Sequence, residues 1–229
     1  MAGTGDKTSR SMVKKEQLLS ELRAAGIRNE AVLQAIKDVP REAFVPRAFK
    51  EDAYENRALP IGEGQTISQP YVVALMTHAT QVEPHHKVLE IGMGSGYQAA
   101  VLCKLVRRLF TIERFDSLRV KAEKDLHDIN IYNFAAKTGD GSKGWPEQAP
   151  FDRILVTAAS PHVPESLKNQ LADGGVMVIP LGQQDSEQRL VRITRNGEDF
   201  ETYELGPVKF VPLIGEEGVP LPENRRQGS

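Results

Sequence analysis

The densest chemistry in this chain lies in Glu90-Ile91-Gly92-Met93-Gly94-Ser95-Gly96-Tyr97. Glycines at alternate positions let a backbone turn sharply and approach a ligand with no Cβ in the way. A helix that starts after such a turn presents free amide groups to that ligand. A glycine-rich turn by itself serves several nucleotide cofactors, and two details separate them here. A dinucleotide fingerprint sets its third glycine three residues after the second, and that place holds Tyr97; the third glycine is Gly96. Glu90, at a strand end just before the turn, would repel a pyrophosphate but favours a ligand carrying an ammonium and a sulfonium. S-adenosylmethionine carries both.

Two more acids follow at successive strand ends. Glu113 stands 21 positions after Gly92, where a carboxylate can accept hydrogen bonds from both ribose hydroxyls. That feature suits NAD and S-adenosylmethionine alike. Asp140, in Thr138-Gly139-Asp140-Gly141, closes a third strand and can accept from an adenine amino group. Any one of these acids also reads as surface decoration; three in succession argue for a nucleoside site. Metal and nucleophile chemistry find less support. The single cysteine, Cys103, allows no intrachain disulfide and no cysteine cluster, and its apolar neighbours suit burial. His85 and His86 adjoin in a turn while His78, His127 and His162 are scattered, so no metal is expected.

The elements that must position these residues come from hydrophobic periodicity. Leu18, Leu19, Leu22 and Ala25 share a helix face that Gly26 ends. Asn29 suits the cap of a second helix carrying Val32, Leu33, Ile36 and Val39, and Pro40 stops it. Residues 41–65 read as irregular, and a helix is expected after Pro70. Strands are then predicted at 87–91, 108–112, 133–138, 151–156 and 176–179, with helices at 97–105, 117–129 and 164–171 between them. This alternation predicts an α/β fold with a doubly wound, mostly parallel sheet and its ligand at the carboxyl ends of the strands. Segments 189–194 and 200–205 flank Asn196-Gly197, a late antiparallel hairpin.

The chain of 229 residues has 40% hydrophobic and 26% charged residues, an ordinary globular balance, with 29 basic against 31 acidic groups and a net charge of −2. No basic stripe marks a nucleic-acid binder. No apolar run is long enough for a signal core or a membrane span, so residence in the cytoplasm is expected. One domain is expected over 16–214, divided into a helical and active-site segment (16–80) and a cofactor-binding sheet with its hairpin (81–214). Residues 1–15 are expected to be a disordered extension and 215–229 a flexible tail.

Longer motifs narrow the reading. Ala58-Leu59-Pro60-Ile61-Gly62, Gln65-Thr66-Ile67-Ser68-Gln69-Pro70-Tyr71, the glycine turn, Gly139-Asp140-Gly141, Val156-Thr157-Ala158-Ala159 and Phe210-Val211-Pro212-Leu213 together resemble the protein-L-isoaspartate O-methyltransferase family, bacterial type. The similarity runs from about Leu18 to Leu213. Many methyltransferases share the glycine turn; the Thr-Ile-Ser-Gln-Pro segment is far more restricted.

The resemblance implies a seven-stranded, Rossmann-like class I methyltransferase fold that uses S-adenosylmethionine and yields S-adenosylhomocysteine. Its substrates would be isoaspartyl-containing peptides and damaged proteins, and the enzyme is expected to be a monomer. By the resemblance, Ser68 is the active-site residue, and Thr66 belongs to the segment lying over the donor site. Glu90 and the turn (Gly92, Gly94, Ser95, Gly96) hold the methionine part, Glu113 the ribose, and Asp140 with Gly141 the adenine edge; Val211 contacts the peptide. Ser68 also suits a cap for the helix after Pro70. Met93 and Ser142 depart from the family pattern, where threonine and tryptophan are common, and Ser142 is expected to loosen packing near the adenine. Rival readings are a small-molecule methyltransferase of this fold, an NAD-dependent oxidoreductase and a non-catalytic binding module. An ionised carboxylate needs no general base, which accounts for the lack of a His–Asp or Cys–His pair.

Overall fold

The computed structural model describes residues 4–220. Helix α1 (Thr4–Ala24) begins well before the expected boundary, so the predicted disordered extension is helical from Thr4. Polar anchors that leave no hydrophobic period hold it: Lys14 Nζ donates to the Glu51 carbonyl at 2.7 Å and Lys15 Nζ to that of Lys37 at 2.8 Å. Gly26, at φ +96°, ends the helix as expected, with the Ile27 amide reaching back to the Leu22 carbonyl. Helix α2 (Glu30–Asp38) is capped by Asn29, whose side chain accepts from the amides of Ala31 and Val32.

Within the stretch expected to be irregular, β1 (Leu59–Gly62) and β2 (Gln65–Ile67) form a small antiparallel hairpin. Its tip, Glu63-Gly64, has positive φ at both residues, the backbone of a tight two-residue turn. Strands this short carry too few residues for a period to show. Helix α3 (Pro70–Thr80) follows with proline in its first turn.

The main sheet contains β3 (Lys87–Ile91), β4 (Arg108–Glu113), β5 (Phe134–Thr138), β6 (Phe151–Val156), β7 (Leu171–Leu181), β8 (Gln188–Asn196) and β9 (Asp199–Val208). Their spatial order is β5-β4-β3-β6-β7-β8-β9. The first five named are parallel; β8 and β9 are the predicted hairpin, β8 antiparallel to β7 and β9 antiparallel to β8. Helices α4 (Tyr97–Cys103), α5 (Asp116–Asp128) and α6 (Glu165–Asn169) make the crossovers. The chain runs outward through β3, β4 and β5, then returns to lay β6 beside β3. A crevice forms at that reversal, at the carboxyl ends of the strands.

Side chains alternate across the sheet into two apolar layers. Val88, Leu109, Leu155 and Val178 face a cluster with Leu22, Ile36, Met76 and Val101 from the helices. Leu89, Phe110, Ile154 and Met177 face the other, which includes Leu167 of α6. Cys103 is free and buried, as expected, and Trp145 packs edge-on against Phe110. The tail was expected to be loose from residue 215, but 215–220 is tied down: Ile214 bridges to Val219 and the Glu216 amide donates to Asp140. The remainder, 221–229, lies outside the described residues. No helix among the described residues is long and apolar enough to cross a membrane.

Candidate active site

The cleft at the sheet reversal opens to solvent and spans about 910 Å³ when the solvent at its mouth is included. The glycine turn forms its floor. Gly92 (φ +93°) follows β3, and the Thr157 hydroxyl after β6 donates to its carbonyl at 2.6 Å. A Cβ on Gly92 would lie 2.4 Å from that hydroxyl oxygen, so two strand ends meet only because position 92 has no side chain. Gly94 (φ +53°) faces open space, the nearest atom to a Cβ there being Ile61 Cδ1 at 3.6 Å.

Glu113 fixes the turn from the end of β4. Its carboxylate accepts from the Gly94 amide at 2.8 Å and from the Phe115 amide at 2.9 Å. Each oxygen keeps lone-pair capacity toward the cleft. Ser95 Oγ accepts from the Tyr97 amide at 3.2 Å, satisfying one free donor at the start of α4.

Thr66, Ser68, Gly92, Gly94, Ser95, Glu113, Gly141 and Val211 all line this one cleft. Residues spread over about 145 positions of sequence are thus gathered around a single space. Ser68 does not cap the following helix: Gln69 holds the cap position, and no side chain bonds there. Ser68 is instead one of the residues that line the cleft.

Three of the expected contact residues lie outside the lining of this cleft. Glu90 is fully enclosed and does not line the cleft. It shares the Val88 face of β3, beneath α4, and accepts from the Thr111 hydroxyl at 2.6 Å. Burial pushes its pKa up to about 8, so at neutral pH it is mainly an uncharged acid rather than a carboxylate waiting for an ammonium. Gly96 is the second: at φ +85° it opens α4, and a Cβ would come within 3.0 Å of Ala122 on α5, so its smallness serves helix packing.

The third is Asp140. Its Oδ1 accepts from the Ser142 amide and hydroxyl at 2.9 and 2.7 Å, and its Oδ2 from the Glu216 amide at 2.8 Å. Asp140 therefore staples the cleft edge and does not face the space. Ser142 is fully buried, and its hydroxyl also accepts from the Glu217 amide at 3.0 Å; packing here is tied, not loosened.

Sequence reasoning passed over Gln98, Phe115, Ile214 and Tyr97 as wall residues. All four are uncharged side chains in or beside a recognised motif, with no spacing of their own to mark them. One cluster of potential metal-ligand side chains occurs among the described residues. Glu83, His85 and His86 bring potential ligand atoms within 4.8 Å of one another at the opposite end of β3. His86 Nδ1 already accepts the Glu83 amide at 2.8 Å, which places the neutral ring's proton on Nε2 and leaves that nitrogen a donor.

Residues 13–218 match the family model described as protein-L-isoaspartate(D-aspartate) O-methyltransferase. The chain belongs to this family. It is 55% identical over 207 residues to the protein-L-isoaspartate O-methyltransferase of Parvibaculum lavamentivorans, covering 90% of this chain and 92% of that one. Identity to the protein of the same name from Dictyoglomus thermophilum is 52% over 205 residues, covering 90% and 93%. A solved Plasmodium falciparum structure, described as a putative protein-L-isoaspartate O-methyltransferase in complex with S-adenosyl-L-homocysteine, superposes with a TM-score of 0.76 at 25% identity. It covers 86% of this chain and 97% of its own. A further solved protein-L-isoaspartate O-methyltransferase gives 0.79 at 27%, covering 89% of this chain and 67% of that one.

Proposed function

We propose that this cleft is where the methyl group passes from S-adenosylmethionine to the free carboxyl of an L-isoaspartyl residue. The chain is an S-adenosylmethionine-dependent protein carboxyl O-methyltransferase, a repair enzyme for damaged proteins and peptides. The observation that carries the site assignment is that Glu113 and the glycine turn share one cleft with Ser68 and Val211. That shared cleft supports reading Glu113 as a nucleoside acceptor and Ser68 with Val211 as a peptide-facing wall.

The donor set fits the cofactor. Glu113 offers anionic acceptors for ribose hydroxyls, and Gly92 and Gly94 leave backbone exposed where a side chain would intrude. Gly141 carries no Cβ to crowd Ile91, which also lines the cleft. When bound, S-adenosylmethionine supplies a methyl group made electrophilic by its sulfonium.

The protein's own part is positional. An isoaspartyl carboxyl with a pKa of about 4 is ionised at neutral pH, so no side chain need remove a proton. In the proposal Ser68 donates a hydrogen bond that aims one carboxylate oxygen, and does not itself attack. Holding oxygen and methyl carbon about 3 Å apart and in line supplies most of the rate. Ile67, Val211 and Leu213 line the cleft with apolar surface, which excludes water while opposite charges merge. The ester then closes as the following amide nitrogen attacks its carbonyl and methanol leaves. The resulting succinimide can reopen by hydrolysis to normal aspartate.

A monomeric, cytoplasmic enzyme completes the proposal. Supporting the first part, the exposed large apolar residues among those described fall on separate elements apart from the adjacent Met12 and Val13: the others are Val120, Tyr132 and Tyr203. Sedimentation velocity checks it. The decisive assay offers labelled S-adenosylmethionine to two peptides that differ only in L-isoaspartate or L-aspartate at one position. Base-labile label on the isoaspartyl peptide alone is expected; equal labelling, or none despite bound cofactor, rejects the assignment.

A further inference from the structure

Arg41 is fully enclosed, in a short 3₁₀ turn (Arg41–Ala43) remote in sequence from every cleft motif. Its Nε donates to the Ala53 carbonyl at 2.8 Å, and its Nη2 to the Ser68 carbonyl at 2.8 Å. The guanidinium carbon lies 4.7 Å from the centre of the Tyr97 ring. Tyr97 is the first residue of α4, directly after the glycine turn, and it lines the cleft.

The group is expensive to bury. Enclosure lowers its pKa to about 10, so it is still a cation at neutral pH. Among the described residues no carboxylate pairs with it; Nη1 makes no hydrogen bond of normal geometry, and the phenol side chains of Tyr97 and Tyr54 only partly offset the cost of burial. A buried charge in this condition is usually worse for stability than an apolar side chain of similar volume. What an apolar side chain cannot do is hold two carbonyls at once from one rigid planar fork.

Ser68 needs such a hold. It lies between the end of β2 at Ile67 and the start of α3 at Pro70, so neither strand nor helix sets its backbone. The neighbouring peptide gets a second tie from Asn56, whose Oδ1 accepts the Tyr71 amide at 3.0 Å.

We propose that Arg41 is a positioning residue for methyl transfer. Its fork fixes the Ser68 carbonyl against the ring of Tyr97 and so sets the acceptor-side serine against the donor-side glycine turn. This inference rests on the reading of Ser68 as the group that orients the carboxylate.

The test compares wild-type enzyme with Arg41→Lys, Arg41→Met, Ser68→Ala and the Arg41→Met/Ser68→Ala pair. Thermal stability, the Kd for S-adenosylmethionine by calorimetry, and kcat and KM on an isoaspartyl peptide are measured for each. Arg41→Met removes the charge at similar volume and Arg41→Lys keeps the charge without the fork, and the thermal stability of each shows whether its kinetics report on a folded enzyme. Retained cofactor affinity with kcat reduced, by about 100-fold in the methionine variant, is the expected result. The pair should be no slower than the slower single variant, because both lesions act through one hydroxyl. Wild-type kcat in Arg41→Lys and Arg41→Met alongside a slow Ser68→Ala overturns the role of Arg41 alone. Wild-type kcat in Ser68→Ala overturns the reading beneath it. Losses in kcat and cofactor affinity that simply follow lost stability reduce Arg41 to a structural part.

Discussion

The Gly94 amide and Oε2 of Glu113 are joined at 2.8 Å, so the acid proposed to meet the ribose also holds the glycine turn in shape. A Glu113→Gln variant keeps the volume but turns an NH₂ group toward a backbone N–H at one of its two sites. A hydrogen bond to a charged group is worth about 1.5–3 kcal/mol. The Kd for S-adenosylmethionine should therefore rise at least about tenfold, measured by calorimetry. Affinity within a factor of two of wild type would remove Glu113 from the cofactor site.

Gly92 is constrained from two directions. Its φ of +93° strains any side chain, and a Cβ would lie 2.4 Å from Thr157 Oγ1. Gly92→Ala should lose cofactor binding and about 1–3 kcal/mol of stability from backbone strain alone. Adding Thr157→Ala relieves the contact but leaves φ unchanged, so only part of the stability should return in urea unfolding. Full recovery would show that the contact, and not the backbone, makes glycine necessary.

The sheet was legible because strand–helix alternation writes itself into apolar periodicity, and β6 and β3 were found at their observed bounds. The glycine turn was legible because glycines serve the backbone directly. Acids were less so. Glu90, Glu113 and Asp140 all stand near strand ends, yet only Glu113 reaches the cleft. Glu90 belongs to the strand itself, where alternation turns it beneath α4; Asp140 turns back on Ser142 and Glu216. Position along the chain sets the level of a side chain in the sheet but not the partner it takes. Arg41 left no signal at all, since its partners are the carbonyls of residues 53 and 68, and any residue has a carbonyl.

The segment after Pro212 forms a strap whose start, Leu213 and Ile214, lines the cleft. Glu217 pins it, accepting from the Ser166 amide at 2.8 Å and from the Ser166 hydroxyl. Glu217→Ala should release the strap and raise the KM for S-adenosylmethionine by about tenfold, the scale of one charge-assisted bond. Ser166→Ala, which loses the hydroxyl but keeps the amide, should have a smaller effect in the same direction. Steady-state kinetics at varied cofactor concentration check both. An unchanged KM in Glu217→Ala would mean that the strap is held without its pin.

Glu90 predicts a pH dependence of stability whose direction differs from that of a salt-bridged acid. Burial raises its folded pKa from 4.5 to about 8, so the folded state holds a proton that the unfolded state gives up. The stabilisation is complete below pH 4.5, declines as pH climbs toward about 8, and changes no further once both states are ionised. The slope within that window is on the order of 1 kcal/mol per pH unit. Glu90→Gln carries no titrating group, and its amide can still accept from Thr111. The variant should thus gain on the wild type as pH rises from 5 to 8, whichever is the more stable at pH 5. Denaturant unfolding of both proteins at four pH values across that range reads the difference directly. A gap that stays constant would mean Glu90 keeps an ordinary pKa and reaches water or a cation; a gap that widens with pH is the mark of an acid buried where the strand alternation puts it, beneath α4.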